Sequence, residues 1–263
     1  MRFIAEGGGN YTTDSTTTIR LLVYTTYAID IWWGSIVLVK PQYANLIVVA
    51  DGPYKTFYSN AYPALSAINV PVTWALDCNM IGNTNLINND ELLVLSGDGF
   101  SEFSFHSFDG TLMSSATAKQ ALVDTVKNIR FLRKNGLQPN HIWRAAWLQN
   151  NCPNHVLADT EVEASATYNG KSSVTQFPWM DEYNIDRIAM QGRETSYIDT
   201  LFAKLKLQHC TAILYTHGIS DAETDTSSTL LSYYVSKIST GISEGWLNPT
   251  TYSRLVEYYK MIH

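Results

Sequence analysis

Residues 47–53, Ile47-Val48-Val49-Ala50-Asp51-Gly52-Pro53, run four apolar residues into an Asp-Gly-Pro turn. A strand buried on both faces reads as such an unbroken apolar run, and the turn after it places one carboxylate at the rim of a sheet. Downstream, strand patterns alternate with helix patterns. Tyr54 to Ile68 reads as a helix, Val70 to Asp77 as a strand, Asn89 to Ser96 as a short helix and Ser101 to Phe105 as a strand. Thr117 to Lys134 carries Leu122, Val126, Ile129 and Leu132 near helical spacing, and Asn135-Gly136 supplies its stop. His141 to Ala145, Ile185 to Met190 and Thr211 to Thr216 follow as strands; Tyr197 to Leu207, Ser228 to Ile242 and a last segment opened by Pro249 and running to Met261 follow as helices. This alternation predicts a parallel, helix-wrapped sheet, open or closed into a barrel, with its ligand site at the carboxyl ends of the strands.

The segment ahead of this region has a different character. Thr17 to Tyr24, Tyr27 to Trp33 and Ile36 to Val39 are rich in β-branched and aromatic residues, with Gly34-Ser35 as a two-residue hairpin turn, after a lead-in rich in Gly and Thr. The expected organisation is an N-terminal β-element over 1–43, packed on the main domain or serving assembly, and an α/β domain over 44–263.

Composition narrows the function classes. The 263 residues are 45% hydrophobic, enough for a sizeable core. A net charge of −6 with 18 Lys plus Arg and no basic run offers no footprint for nucleic acid or an anionic membrane surface. No stretch has the apolar length of a membrane span, and the first residues lack the apolar core of a secretion signal. Cys78, Cys152 and Cys210 are odd in number and widely spaced, which suits buried thiols better than a disulfide framework. Few charges and many Tyr, Thr, Ser and Asn suit an extracellular or virion-associated chain.

Three polar residues directly follow apolar strands: Asp51 after IVVA, His106 after SEFSF and His217 after TAILYT; Arg144 lies in HIWRAAW. Taken singly, each has a plain structural reading: a turn-forming Asp, hydrogen-bonded histidines, a strand-edge charge. Taken together, they converge if their strands are neighbours.

In this order, IVVADGP, VPVTWAL, EFSFHSFDG, WRAAW and AILYTHG resemble the motifs of the NodB-type polysaccharide deacetylases, carbohydrate esterase family 4, over about residues 44–263. The resemblance implies a distorted (β/α) barrel and metal-assisted removal of acetyl groups from acetylated polysaccharide or a peptidoglycan-like glycan. It implies that Asp51 and His106 are metal ligands, Arg144 orients the catalytic base, and His217 is the general acid. The family's base precedes its ligand Asp, a position held here by Ala50. Its second histidine ligand falls on Gly110, and only Asp109, one residue earlier, offers a substitute. Trp147 keeps the aromatic of the third motif, and Phe108 and Trp179 join it as candidate sugar platforms, whereas Trp74 suits the core.

A catalytic zinc has three protein ligands and a water, so two ligands imply a divalent metal held weakly or not at all. Three readings follow: a glycan-recognising domain with impaired or altered hydrolysis, a working deacetylase or esterase with an altered site, and a structural part of a virion tail or cell-surface appendage that oligomerises through residues 1–43.

Overall fold

Strand β1 (Ala44–Asp51) is hydrogen-bonded along both edges in parallel, to β2 (Val72–Leu76) on one side and β8 (Thr211–Thr216) on the other. That placement explains its sequence: a strand with neighbours on both edges and packing on both faces tolerates almost no polar side chain, and only Asn45 of β1 is not fully buried. The computed structural model describes residues 43–110, 116–137, 141–145, 160–167, 173–175, 177–179, 182–220 and 225–262. The strands expected before Tyr43, and Trp147 and Cys152, lie outside the described residues.

From β2 the sheet continues through β3 (Ser101–Phe105), β4 (Trp143–Ala145), β5 (Ala164–Thr167) and β6 (Ile185–Asp186), and β8 pairs with β7 (Ile188–Ala189). The two ends of this path, β6 and β7, are separated only by Arg187. The Arg187 N–H bonds the Thr167 carbonyl at 3.0 Å on the β5 side, and the Met190 N–H bonds the Tyr215 carbonyl at 2.9 Å on the β8 side. One short segment thus joins both edges, and the sheet is a nearly closed parallel barrel wrapped by helices. The helices are α1 (Tyr62–Ser66), preceded by a π-helical turn, α2 (Asn89–Gly97), α3 (Ala118–Lys134), α4 (Thr195–Gln208), α5 (Ser228–Ser243) and α6 (Tyr252–Ile262).

Strand alternation divides the core in two. Leu46, Val48 and Ala50 of β1 join the outer cluster beneath the helices, with Val72, Trp74, Leu76, Phe103 and Phe105. Ile47 and Val49 join the lumen cluster with Ala75, Trp143, Ala145, Ala164, Ala166, Ile185, Ala189, Ile213 and Tyr215. Side chains on a strand alternate faces, so Asp51 falls on the lumen side at the carboxyl end of β1.

The opposite end of the lumen is plugged. β9 (Leu247–Pro249) pairs with the start of β1 and leads into α6, whose first residue, Tyr252, stacks between Trp143 at 5.4 Å and Trp179 at 5.7 Å. Buried Glu102 accepts hydrogen bonds from Ser253 N at 2.9 Å, Tyr252 N at 3.3 Å, Trp143 Nε1 at 3.0 Å and Thr73 Oγ1 at 3.0 Å, and so caps the first turn of α6.

Helix α3 starts at a capping box formed by Thr117 and Gln120 and stops at Gly136, whose φ of +66° favours glycine. β5 and β9 are additions to the sequence expectation: Ala-Ser-Ala-Thr and Leu-Asn-Pro have neither length nor apolar periodicity to mark them. No helix among the described residues is long and apolar enough to cross a membrane.

Candidate functional site at the carboxyl ends of the strands

The turn at Asp51 is fixed by its neighbours. Gly52 takes φ +93°, and a Cβ there would lie 2.7 Å from the Tyr54 ring, so the position favours glycine on both counts. The Gly52 N–H bonds the Ala75 carbonyl at 2.9 Å, which extends the β1–β2 pairing to the rim. Asp51 therefore has little freedom, and it is almost completely buried.

Three cationic or potentially cationic groups surround its carboxylate. Arg187 Nη1 donates to Asp51 Oδ1 at 2.9 Å. His106 Nε2 lies 3.9 Å from the same oxygen, and His217 Nε2 lies 3.8 Å from Oδ2. Burial alone would raise the pKa of Asp51, but Arg187 first, then His106 and His217, override it and hold the carboxyl below its ordinary 3.8.

His106 is oriented from behind. Its Nδ1–H donates to Asp77 Oδ1 at 3.0 Å, and the same oxygen accepts from Ser107 N at 3.1 Å and Ser107 Oγ at 2.7 Å. This fixes the ring with Nε2 toward Asp51, the arrangement by which a carboxylate sets the tautomer and direction of an imidazole. Burial lowers the pKa of His106, but the Asp51 charge and the Asp77 hydrogen bond prevail and lift it above the ordinary 6.5. Neither His106 Nε2 nor Asp51 Oδ2 has a hydrogen-bond partner among the described residues. His217 is more open, with its side chain 34% exposed and its ring edge-on to Tyr54 at 5.9 Å.

Asp51, His106 and His217 are thus brought to one mouth, but Arg144 is not. Its register partner Phe105 packs in the outer cluster, and β4 gives Trp143 and Ala145 to the lumen, so Arg144 faces the helix layer. There its Nε donates to the His106 carbonyl at 3.3 Å, its guanidinium lies 6.0 Å from the Phe105 ring centre, and its charge acts on Asp124 of α3. The arginine on the carboxylate is Arg187, fully buried on the inner face of the closing strand, 4.3 Å from the Tyr215 ring centre.

Two proposed sugar platforms also lie elsewhere. Trp179 is buried in the lumen cluster on Tyr252, at the plugged end, with Nε1 donating to Thr175 Oγ1 at 2.8 Å. Phe108 packs on the outer cluster with Lys127 Nζ 5.2 Å from its ring centre. Among the described residues, the rings against His217 are Tyr54 at 5.9 Å and Tyr215 at 6.2 Å, and of these Tyr54 is the more exposed.

Sequence reading missed Asp77, Arg187 and Tyr54, although each left a signal. Asp77 ends VPVTWALD as Asp51 ends IVVAD, and Tyr54 follows the Asp-Gly-Pro turn directly. Arg187 interrupts inner positions otherwise held by Ile185 and Ala189, and a charge on an inward face calls for a partner.

The positions that resemblance leaves without their usual residues are shaped against restoring them. Ala50 is fully buried in the outer cluster, so a carboxylate there would enter apolar packing instead of the mouth. Gly110 has φ +80°, and its added Cβ would meet Met80 Sδ at 3.2 Å. Asp109 is exposed on the same turn. Among the described residues no three His, Cys, Asp or Glu side chains form a group that could hold a metal ion.

Arg187 adds an electrostatic obstacle. A divalent cation on Asp51 would have to share the carboxylate with a guanidinium already bonded to it at 2.9 Å, and the two like charges would repel. With Arg187 on the carboxylate, the donor set does not fit the family's metal.

By sequence, the chain matches no protein-family model and no curated protein. By structure, it is similar to the peptidoglycan deacetylase PdaC of Bacillus subtilis, at 12% identity and TM-score 0.52 over 85% of this chain and 95% of that one. It is similar to a family 4 acetyl xylan esterase of Clostridium thermocellum in complex with cobalt, at 14% identity and TM-score 0.51 over 82% and 91%. It is also similar to a mutant family 4 pseudoenzyme of Bacillus anthracis with restored enzymatic activity, at 13% identity and TM-score 0.52 over 82% and 68%. At these identities the likeness is one of fold: the chain has the barrel of the NodB-type, family 4 carbohydrate esterases.

Proposed function

We propose that this chain is a glycan-directed domain on the polysaccharide-deacetylase barrel, recognising an acetylated sugar at the mouth formed by Asp51, His106 and His217, with metal-dependent hydrolysis impaired. The observation that carries the reading is the convergence of two imidazoles on one buried carboxylate at the carboxyl ends of β1, β3 and β8. The chemistry suits an acetylated sugar. A charged carboxylate accepts from hydroxyls or an amide N–H, an imidazolium donates to an acetyl carbonyl, and the Tyr54 ring offers a face for the apolar side of a pyranose.

Impairment follows from the base position, where Ala50 has no proton acceptor; removing a general base typically costs about 10² to 10⁴ in rate. A second reading, an active deacetylase, draws on Asp51 Oδ2 and His106 Nε2, buried polar atoms without a hydrogen-bond partner among the described residues.

A glycan array carrying matched acetylated and deacetylated chitin, xylan and peptidoglycan fragments, read alongside acetate release, separates these readings. The expected result is retention on acetylated fragments, lost in His217→Ala and in Trp147→Ala, with no acetate above the buffer control. Acetate release that disappears in His106→Ala would favour the active enzyme, and failure to retain any fragment would overturn the glycan assignment.

A further inference from the structure

We infer that Arg187 is the resident cation of this mouth: its guanidinium takes, permanently and from within the chain, the place beside Asp51 that a divalent metal holds in metal-dependent relatives. The inference rests on the reading of this mouth as the functional site, and it deepens that reading by assigning the positive charge opposite the carboxylate.

Three observations set Arg187 in place, one on its backbone and two on its guanidinium. Its backbone N–H is bonded to the Thr167 carbonyl at 3.0 Å, which fixes it in the segment that joins the two edges of the barrel. Its guanidinium lies 4.3 Å from the centre of the Tyr215 ring, on the neighbouring strand. Its Nη1 reaches Asp51 Oδ1 at 2.9 Å, and both side chains are 1% exposed or less. An arginine held by strand, ring and carboxylate together is part of the fold.

The surroundings agree. The position one turn beyond His106, where a second imidazole would complete a metal site, is Gly110 in a left-handed conformation against Met80. The charge of Asp51 is thus balanced by protein alone, and metal supply should not affect this protein.

Cobalt binding tests the assignment directly. Chelator-treated full-length protein is titrated with cobalt(II), following visible absorption and calorimetric heat, for wild type, Arg187→Lys and Arg187→Gln. Wild type and Arg187→Lys, which keeps the charge, are expected to take up no stoichiometric cobalt. Arg187→Gln should bind one equivalent at least tenfold more tightly than wild type and lose it again when combined with Asp51→Asn.

One equivalent of cobalt bound by wild type with micromolar or tighter affinity would overturn the inference, as would an Arg187→Gln protein that folds and binds no better than wild type. The wild-type thermal midpoint is a second reading that needs no variant: it should be the same with EDTA and with excess cobalt, and a rise with cobalt overturns the assignment. Glycan retention is read separately on the array, so loss of the resident-cation inference would leave the glycan reading to stand or fall alone.

Discussion

Two buried carboxylates sit at opposite ends of one barrel, and their surroundings differ in kind. Glu102, at the plugged end, accepts four hydrogen bonds from Thr73, Trp143, Tyr252 and Ser253, which is nearly all a carboxylate can take. Asp51, at the open end, accepts one hydrogen bond from Arg187, while its second oxygen faces His217 at 3.8 Å and has no hydrogen-bond partner among the described residues. A carboxylate saturated by the fold stabilises it; one left partly unsatisfied between two imidazoles is poised for a ligand. The base of the barrel is built for stability, and the unsatisfied oxygen at the mouth suits the recognition role proposed for it.

The largest effect should come from breaking the base. Glu102→Ala leaves the indole N–H of Trp143, two backbone N–H groups of α6 and the Thr73 hydroxyl without their acceptor; at about 1–3 kcal/mol each, the loss should reach about 5 kcal/mol or more in urea unfolding. If Glu102→Ala unfolds within 1 kcal/mol of wild type, on the order of ordinary surface substitutions, the saturated-base picture is wrong.

Next comes the ion pair at the mouth. Arg187→Met strands a buried carboxylate and should cost about 3–5 kcal/mol, whereas the double variant Asp51→Asn/Arg187→Met should recover much of it because no charge is left unpaired. Additive losses in that cycle would show that the two side chains do not act as a pair.

A smaller effect concerns pH. The pKa of His106 is raised on folding, so its contribution is fully present below the unfolded value of about 6.5 and is lost as pH rises through the higher folded value. Stability should therefore decline on the alkaline side of pH 6.5, and Asp77→Asn should flatten that decline by removing one of the groups that hold the proton. A difference between wild type and Asp77→Asn that stays constant as pH rises above 6.5 would contradict this.

The smallest stability change belongs to His217, which is partly exposed. His217→Ala should shift unfolding by less than about 0.5 kcal/mol while removing glycan retention. A large destabilisation would reassign His217 to the fold.

Much of this architecture was legible before any coordinates. β3 and β8 occupy the expected residues, α3 begins one residue later than expected, and β1, at Ala44–Asp51, extends the strand expected over Leu46 to Ala50, because unbroken apolar runs and helix caps are local signals. Asp51, His106 and His217 were each legible as the polar end of a buried strand, whereas their sharing one rim depends on β1, β3 and β8 lying in one sheet, which the sequence left conditional. The facing of Arg144 was not legible, because a strand of three residues has too little alternation to fix its inward side; that side is set by its pairing with Phe105. Arg187 escaped for the converse reason: its strand was expected, but its role depends on a carboxylate 136 positions away, and the closure that joins them is a tertiary event. Trp179 shows the same limit, since an isolated tryptophan reads alike as a sugar platform or, as its stack on Tyr252 has it, as packing.

The most direct test of the mouth is a crystal structure of the wild-type protein soaked in cobalt, with diffraction collected at the cobalt absorption edge. The expected map has the Arg187 guanidinium on Asp51, with His106 and His217 turned toward the same carboxylate and no anomalous peak among them. An anomalous peak between Asp51 and His106, with Arg187 swung away, would contradict it.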